Sequence, residues 1–304
     1  MAFSGVSRSG VASLAIFISA TVWGLYWVPL RLFEANGVDG AWSVALLNTP
    51  PLFLLLPLLL FQWSANHGHL RNAIIVGFLG GAGLALYASG LVFSSVVRAT
   101  LLFYLTPVWA TLIGLVWLGE DVRWQRWAAI AIGLLGMFLL LSSGSGASKP
   151  LNIGDIFGIL SGVFWAGAAA TIKKFPETPL SGMTFFQFLF TAFVAIICSA
   201  VAGPFILPEP GPLISSLPIA ALASIGLILP TVWIIFWAQK ILFPGRAGLL
   251  MMSEVLVAVI SASIFLPEER MSMIEWGGAI LIIGACLLEV LSTPTIGEAP
   301  ETPA

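Results

Sequence analysis

Charge is what this 304-residue chain has least of: Lys, Arg, Asp and Glu together make up 9% of it, against roughly 25% in an ordinary soluble domain. Twelve Lys and Arg with fourteen Asp and Glu could not cover a soluble body of this size, so the bilayer must be its solvent. A formal net charge of -2 leaves no basic stripe for a phosphate backbone, which sets nucleic acid aside as a partner. Cysteine is as scarce. Cys198 and Cys286 lie inside apolar runs and read as small core residues, too few for a four-cysteine zinc set. The two histidines, His67 and His69, share one short polar segment, so no histidine triad, zinc site or membrane proton relay can be assembled. A Gly-Lys-Ser/Thr phosphate loop is missing as well, which argues against an intrinsic ATPase. The expectation is a protein that is not an enzyme and holds no cofactor or metal, driven by a gradient or by the solute itself.

What the chain has is apolar length. Hydrophobic residues are 59% of it, in ten runs with limits 11–33, 41–62, 71–93, 97–118, 124–142, 154–173, 182–203, 217–241, 246–266 and 273–292. Each is near the 20 residues, roughly, that a helix needs to cross a hydrocarbon core. The apolar character is continuous rather than alternating, so helices are predicted and not barrel strands. Residues 11–22 behind Arg8 imitate a signal peptide, but Trp23, Trp27 and Pro29 follow in the same run with no clear small-residue cleavage site. With the N-terminus inside, Arg8, Arg71, Arg123, Arg126, Lys173, Lys174, Lys240 and Arg246 fall on the inner side. Arg31, Arg98, Lys149 and Arg270 then fall outside, and eight against four predicts N-in and C-in. The expected class is an all-α, multi-pass integral membrane protein of ten transmembrane helices in the bacterial inner membrane.

The low-complexity connector SSGSGASKP at 142–150 divides the runs into five and five. The domains are therefore read as 1–142 (first five-helix repeat), 143–153 (flexible connector), 154–292 (second repeat) and 293–304 (disordered tail). A shift of 148 residues pairs Arg98-Ala99 with Arg246-Ala247, Leu101-Leu102 with Leu249-Leu250, Ala110 with Ala258, Leu118 with Leu266, Glu120 with Glu268 and Gly136 with Gly284. A weaker correspondence aligns Trp23 with Trp165, Arg31 with Lys173 and Phe33 with Phe175. An odd number of spans per copy makes the second enter from the opposite face, giving two inverted repeats, a transporter signature because a site at their interface can open alternately to each side.

Three stretches then carry a resemblance: TVWGLYWVPLR at 21–31, RATLLFYLTPVWATLIGLVWLGE at 98–120 and RAGLLMMSEVLVAVISASIFLPEE at 246–269. They resemble the drug/metabolite transporter superfamily and, within it, the EamA type of ten-helix permease, over about residues 11–292. The family pattern of a mid-helix proline and a closing Leu-Gly-Glu is matched by Pro107 and Leu118-Gly119-Glu120. In the second half Glu254 precedes Val255 where relatives have proline, and Pro267-Glu268 replaces Gly-Glu, which leaves the bend of the ninth helix open. The resemblance implies secondary transport of small organic solutes, mostly export of amino acids and other metabolites. The aromatic-rich sequence looks most like the aromatic amino-acid exporter branch.

Glu254 is the one acidic residue well inside an apolar run, eight positions or roughly 12 Å beyond Arg246. A carboxyl at that depth is costly, and it reads as a group for a substrate ammonium or a coupled proton; a carboxylate held structurally by neighbouring helices is the alternative. Trp42, Trp63, Trp117, Trp124, Trp127 and Trp276 lie at span ends as interfacial anchors, while Trp23, Trp27, Trp109, Trp165, Trp233 and Trp237 lie deeper. Trp23 with Trp27 and Trp233 with Trp237 are four apart, which predicts shared faces that could stack on a planar solute, or simply core packing. Tyr87 and Tyr104 add hydroxyls that need partners. The candidate solute contacts are thus Trp23, Trp27, Tyr87, Tyr104, Trp165, Trp233, Trp237 and Glu254.

Arg98, Lys240 and Arg246 are candidates for gating or orienting a carboxylate, with snorkelling anchors as the alternative. Pro29, Pro107 and Pro230 are expected to bend helices. The Gly77/Gly81 and Gly158/Gly162 pairs predict close packing of the third and sixth spans. The partners expected are a small-molecule solute, amino acids or related metabolites, and the lipid bilayer, with the chain a monomer or weak homodimer. A facilitator or carrier for other metabolites or drugs, or a non-transporting membrane subunit, are the competing readings.

Overall fold

A backbone in hydrocarbon must satisfy its own amides, so long apolar runs fold as helices. The computed structural model describes residues 8–143, 150–202, 205–266 and 271–292, and every regular element among them is helical. The first stretch holds α1 (Arg8–Trp23), α2 (Trp27–Ala35), α3 (Trp42–Asn48), α4 (Pro50–Phe61), α5 (Trp63–Asn66), α6 (Leu70–Phe93), α7 (Val96–Phe103), α8 (Thr106–Leu118) and α9 (Trp124–Ser143). The rest holds α10 (Ile153–Lys174), α11 (Leu180–Ala202), α12 (Pro210–Ala223), α13 (Leu229–Ile241), α14 (Pro244–Met251), α15 (Ser253–Phe265) and α16 (Met273–Ser292). Residues 144–149 of the connector, the tail at 293–304, and Lys149, Glu268 and Arg270 lie outside the described residues.

Among the described residues seven helical stretches are long and apolar enough to cross a membrane: Arg8–Ala35, Trp42–Phe61, Trp63–Phe93, Ile153–Lys174, Leu180–Ala202, Pro210–Ile241 and Pro244–Phe265. The shorter apolar helices Thr106–Leu118, Trp124–Leu139 and Met273–Ala285 accompany them. The run at 97–118, expected to be one helix, is two: α7 and α8 meet at a turn over Tyr104 and Leu105. The first run likewise breaks between Trp23 and Trp27, and α14 passes into α15 through a turn at Met252. The run expected from 217 begins at Pro210, because Pro210 is compatible with a first helical turn, and a π-helical segment at Ser224–Ile228 joins α12 to α13.

Proline placement follows from its missing amide. Pro29 and Pro107 stand in the opening turns of α2 and α8, just after the breaks, and Pro230 follows the π-helical segment within the stretch Pro210–Ile241. The bend before Glu254 occurs without any proline.

The most extensive contacts join the two parts of the chain, α6 with α10 and α11 and α9 with α16, and α1 also meets α13, α14 and α15. The third and sixth spans, α6 and α10, pack extensively, as the glycine spacing predicts, and small residues set the approach. Gly77 and Gly81 face Phe186, Gln187 and Phe190 of α11, where a Cβ on either would collide with backbone. Gly83 admits α10 at Trp165, whereas Gly158 and Gly162 admit the α7–α8 corner at Ala99 and Phe103. Trp63, Trp117, Trp124, Trp127 and Trp276 are exposed at the surface, as amphipathic rings at helix ends are.

Candidate functional site

The breaks in α1–α2, α7–α8 and α14–α15 meet at one place. Gly24, in the first break, lies so close to the α15 backbone that a Cβ there would stand 2.7 Å from Glu254 O and 3.0 Å from Ala258 N. Glu254, completely buried, opens α15. The hydroxyl oxygen of Tyr104, in the second break, lies 2.7 Å from Glu254 Oε2 and 2.7 Å from Met251 O. Among the described residues Glu254 Oε1 is buried with no hydrogen-bond partner. The Tyr87 hydroxyl faces the same carboxyl and bonds Thr100 Oγ1 at 3.2 Å.

Tyr26 completes the set. The chain has three tyrosines, and Tyr26, Tyr87 and Tyr104 are all buried around this point. Tyr26 stacks on Trp23 with centroids 5.3 Å apart and accepts a hydrogen bond from Asn48 Nδ2 at 2.8 Å. Trp23 in turn lies 6.3 Å from Trp165, and Trp165 is 6.3 Å from Phe236. Trp23, Gly83, Leu84, Tyr87, Phe103, Trp165 and Met251 enclose a cavity with a free volume of about 10 Å³. That is near the smallest space that holds one water, so no organic solute fits until the helices move. The Trp165 indole N–H is buried and unpartnered.

The expected candidates separate here. Trp23, Tyr87 and Trp165 line the cavity, and Tyr104 and Glu254 adjoin it through Met251. Trp27 does not share the Trp23 face, because the turn between them breaks the four-residue spacing; its Nε1 donates to Ser261 Oγ on α15 at 3.0 Å. Trp233 and Trp237, on unbroken α13, are half-buried and stand outside the cavity wall. Tyr26, Phe103 and Asn48 were not among the candidates. The scarcity of tyrosine could have pointed to Tyr26, while nothing local marks Asn48.

Of the cationic candidates, Arg98 Nη2 pairs with Asp155 Oδ2 at 3.0 Å. Asp155 also accepts from Ser94 Oγ at 2.8 Å and caps α10 in a reciprocal box with Asn152. Lys240 Nζ donates to Thr178 O, and Lys173 Nζ to Ile241 O, so α13 and the α10–α11 corner brace each other reciprocally. Arg246 is half-buried in the first turn of α14. None of these cations lines the cavity. An open hollow of about 580 Å³ lies instead at the α2–α3 corner, lined by Asp39, Trp42, Phe93 and Glu209 among others. Among the described residues no group of three or more His, Cys, Asp or Glu gathers to hold a metal.

The structure is an all-helical body with an aromatic-walled cavity at the crossing of broken helices. The sequence profile of the EamA-like transporter family matches twice, over residues 10–142 and 152–291, and the chain belongs to that family. It is similar to the S-adenosylmethionine uptake transporter of Rickettsia prowazekii, 26% identical over 130 residues, 42% of each chain. This chain therefore spans less than half the length of that relative. An uncharacterized transporter of Synechocystis is 24% identical over 94% of this chain and 92% of its own. One of Archaeoglobus fulgidus is 29% identical over 50% and 52%. A protein crystal structure, 20% identical, superposes with a TM-score of 0.66 over 94% of this chain and 98% of the other, which bears on the fold alone. The protein is thus a multi-pass integral membrane protein of that family.

Proposed function

We propose that the protein is a secondary carrier that exports amino acids, aromatic ones included, by alternating access around the cavity between two inverted five-helix halves. The two family matches and the three shorter apolar helices beside the seven long ones support ten spans, N-in and C-in, in a bacterial inner membrane. The observation that carries the solute class is that, among the described residues, neither Glu254 Oε1, a buried acceptor beside the cavity, nor the Trp165 N–H, a buried donor on its wall, has a hydrogen-bond partner. An α-amino acid supplies an ammonium to the first and a carboxylate to the second, and Trp23, Phe103 and Trp165 supply apolar wall for a planar side chain. Trp27, Trp233 and Trp237 enter the solute's surroundings only as the helices separate. Arg98, Lys240 and Arg246 act at the mouths rather than at the solute. The carrier works as a monomer or weak homodimer.

S-adenosylmethionine uptake is a second reading, favoured by the name of the rickettsial relatives. That solute is itself an α-amino acid bearing a planar group, so the same two polar atoms would meet it. Efflux from proteoliposomes loaded with labelled tryptophan, phenylalanine or S-adenosylmethionine separates the two. Saturable efflux of the aromatic amino acids, lost in Glu254→Ala, is the expected result. Efflux of S-adenosylmethionine alone moves the assignment to the second reading, and no efflux of any of the three removes the amino-acid class.

A further inference from the structure

The residues around Met251 do not have enough hydrogens unless Glu254 supplies one. At the corner between α14 and α15 the Val255 N–H turns to Met252 O at 3.1 Å, so Met251 O loses the partner it would have in a continuous helix. A buried carbonyl without a donor costs free energy, and the Tyr104 hydroxyl fills the place at 2.7 Å. The same hydroxyl oxygen lies 2.7 Å from Glu254 Oε2. Three oxygens in a row make two contacts, and each contact needs one hydrogen between its atoms. Tyrosine brings one. With Glu254 ionised, one of the two contacts would set lone pair against lone pair at 2.7 Å in a dry site.

We propose that the closed conformation binds one proton on Glu254, and that Tyr104 transmits its presence to the α14–α15 corner. In the closed state Glu254 Oε2–H donates to the Tyr104 oxygen, and the Tyr104 hydroxyl donates to Met251 O. When the proton leaves, the Tyr104 hydroxyl turns to the carboxylate, Met251 O is orphaned and the corner must open to find water or straighten to recover Val255 N–H. Other titratable groups do not confuse the assignment. Those that face Glu254 are Tyr104 of the α7–α8 turn and Tyr87 of α6, with Tyr26 of the first break behind Tyr87. Among the described residues no Lys or Arg pairs with it.

Under the proposed transport reading, on which this coupling role rests, a solute ammonium and the proton compete for one carboxyl. Each solute leaving then exchanges for one proton entering, so an inward proton gradient drives export. Because the closed state holds one proton more than the open one, closure is favoured about tenfold per unit of falling pH while the open state is ionised.

Infrared spectroscopy of the full chain in lipid nanodiscs tests the proton without needing a solute. The carboxylic-acid C=O stretch of a dry protonated side chain is expected in the parent protein at neutral pH, absent in Glu254→Gln and displaced in frequency in Tyr104→Phe. Coincident parent and Glu254→Gln spectra in that region would overturn the inference, as would a band indifferent to Tyr104→Phe. Should Glu254→Gln fail to fold, Glu254→Asp replaces it and must move the band. A band without efflux of any tested amino acid leaves the proton site standing and removes the solute class; saturable efflux without a band does the reverse.

Discussion

At the α7–α8 corner Pro107 has no amide to offer Phe103 O, and Thr106 donates its own hydroxyl to that carbonyl at 2.5 Å. At the α14–α15 corner the residue 148 positions after Phe103 is Met251, and its carbonyl is served by Tyr104, from the other half of the chain. The same shift carries Thr106 onto Glu254 and Pro107 onto Val255. One corner is therefore fixed by proline and repaired within a single turn. The other keeps its amides, has a carboxyl where the repairing hydroxyl would be, and depends on a distant side chain. A break that is self-sufficient is a rigid part; one repaired through a titratable group is conditional. Under the proposed alternating access, the contrast makes α14–α15 the moving element and α7–α8 its frame.

The largest effect expected concerns the frame. Asp155 is buried and holds Arg98 of α7, and Asp155→Ala removes that charge partner together with the side-chain acceptor of the Asn152 N–H in the α10 capping box. Breaking a buried pair from one side costs about 3–5 kcal/mol. Thermal unfolding in detergent should fall accordingly, and an unchanged midpoint would show that α7 is not pinned. Next comes the closeness of α1 to the moving corner. Gly24→Ala forces a methyl against Glu254 O, an overpacking worth about 1–3 kcal/mol. Its counterpart in the 142-residue alignment of Trp23 with Trp165 is Ala166, buried with a methyl already in place. Ala166→Gly should cost only about 1 kcal/mol, the difference in helix propensity plus a small void. Equal losses in the two variants would mean that the two halves pack alike.

Much of this was readable in the residues and some was not, for definite physical reasons. Helices, their approximate limits and the depth of Glu254 follow from hydrophobic length, which the bilayer enforces everywhere. The breaks do not, because a helix interrupted at Tyr104 or Met252 keeps the same apolar composition on both sides of the turn. Missing the first break put Trp27 on the cavity wall, since a four-residue spacing means a shared face only in an unbroken helix. Pro107 signalled a corner at one place, but nothing comparable stands at Val255. There the interruption comes from tertiary contact, with a hydroxyl from another element in the amide's place. The small-residue pattern marks where helices approach closely without saying which partner each glycine meets: Gly77 of α6 faces α11, while Gly83 faces α10. Asp155, by contrast, was within reach, for Asn152-Leu-Gly-Asp155 has the spacing of a capping box before an apolar run.

Double-mutant cycles sharpen the comparison of the two corners with smaller effects. Tyr104→Phe leaves Met251 O buried without a donor, a loss of about 1–3 kcal/mol. Glu254→Gln keeps a donor for the Tyr104 oxygen without requiring a bound proton, so by itself it should stabilise the closed state by about 0.5 kcal/mol or more at a pH where the open state is ionised. Combined with Tyr104→Phe it should do nothing further, because the group it would serve is gone. The two should therefore couple by at least about 0.5 kcal/mol, while Glu254→Gln and Thr106→Val, at separate corners, should add. Additivity of the first pair would break the chain of three oxygens on which the conditional corner rests.

The smallest effect discriminates most finely. Thr106→Val removes the hydroxyl at Phe103 O and keeps the shape, which should cost about 1 kcal/mol. Thr106→Ser keeps the donor and should be nearly silent in unfolding and in the pH dependence of transport. Thr106→Glu gives the first corner the residue of the second. Phe103 O then has a carboxyl beside it and no tyrosine from the other half in the equivalent position, since Met252 is the counterpart of Tyr104. That variant should lose stability without acquiring a second proton-linked step. If efflux in Thr106→Glu instead became steeper in pH, a carboxyl at a broken helix would suffice for coupling, and the tyrosine bridge would be incidental to it.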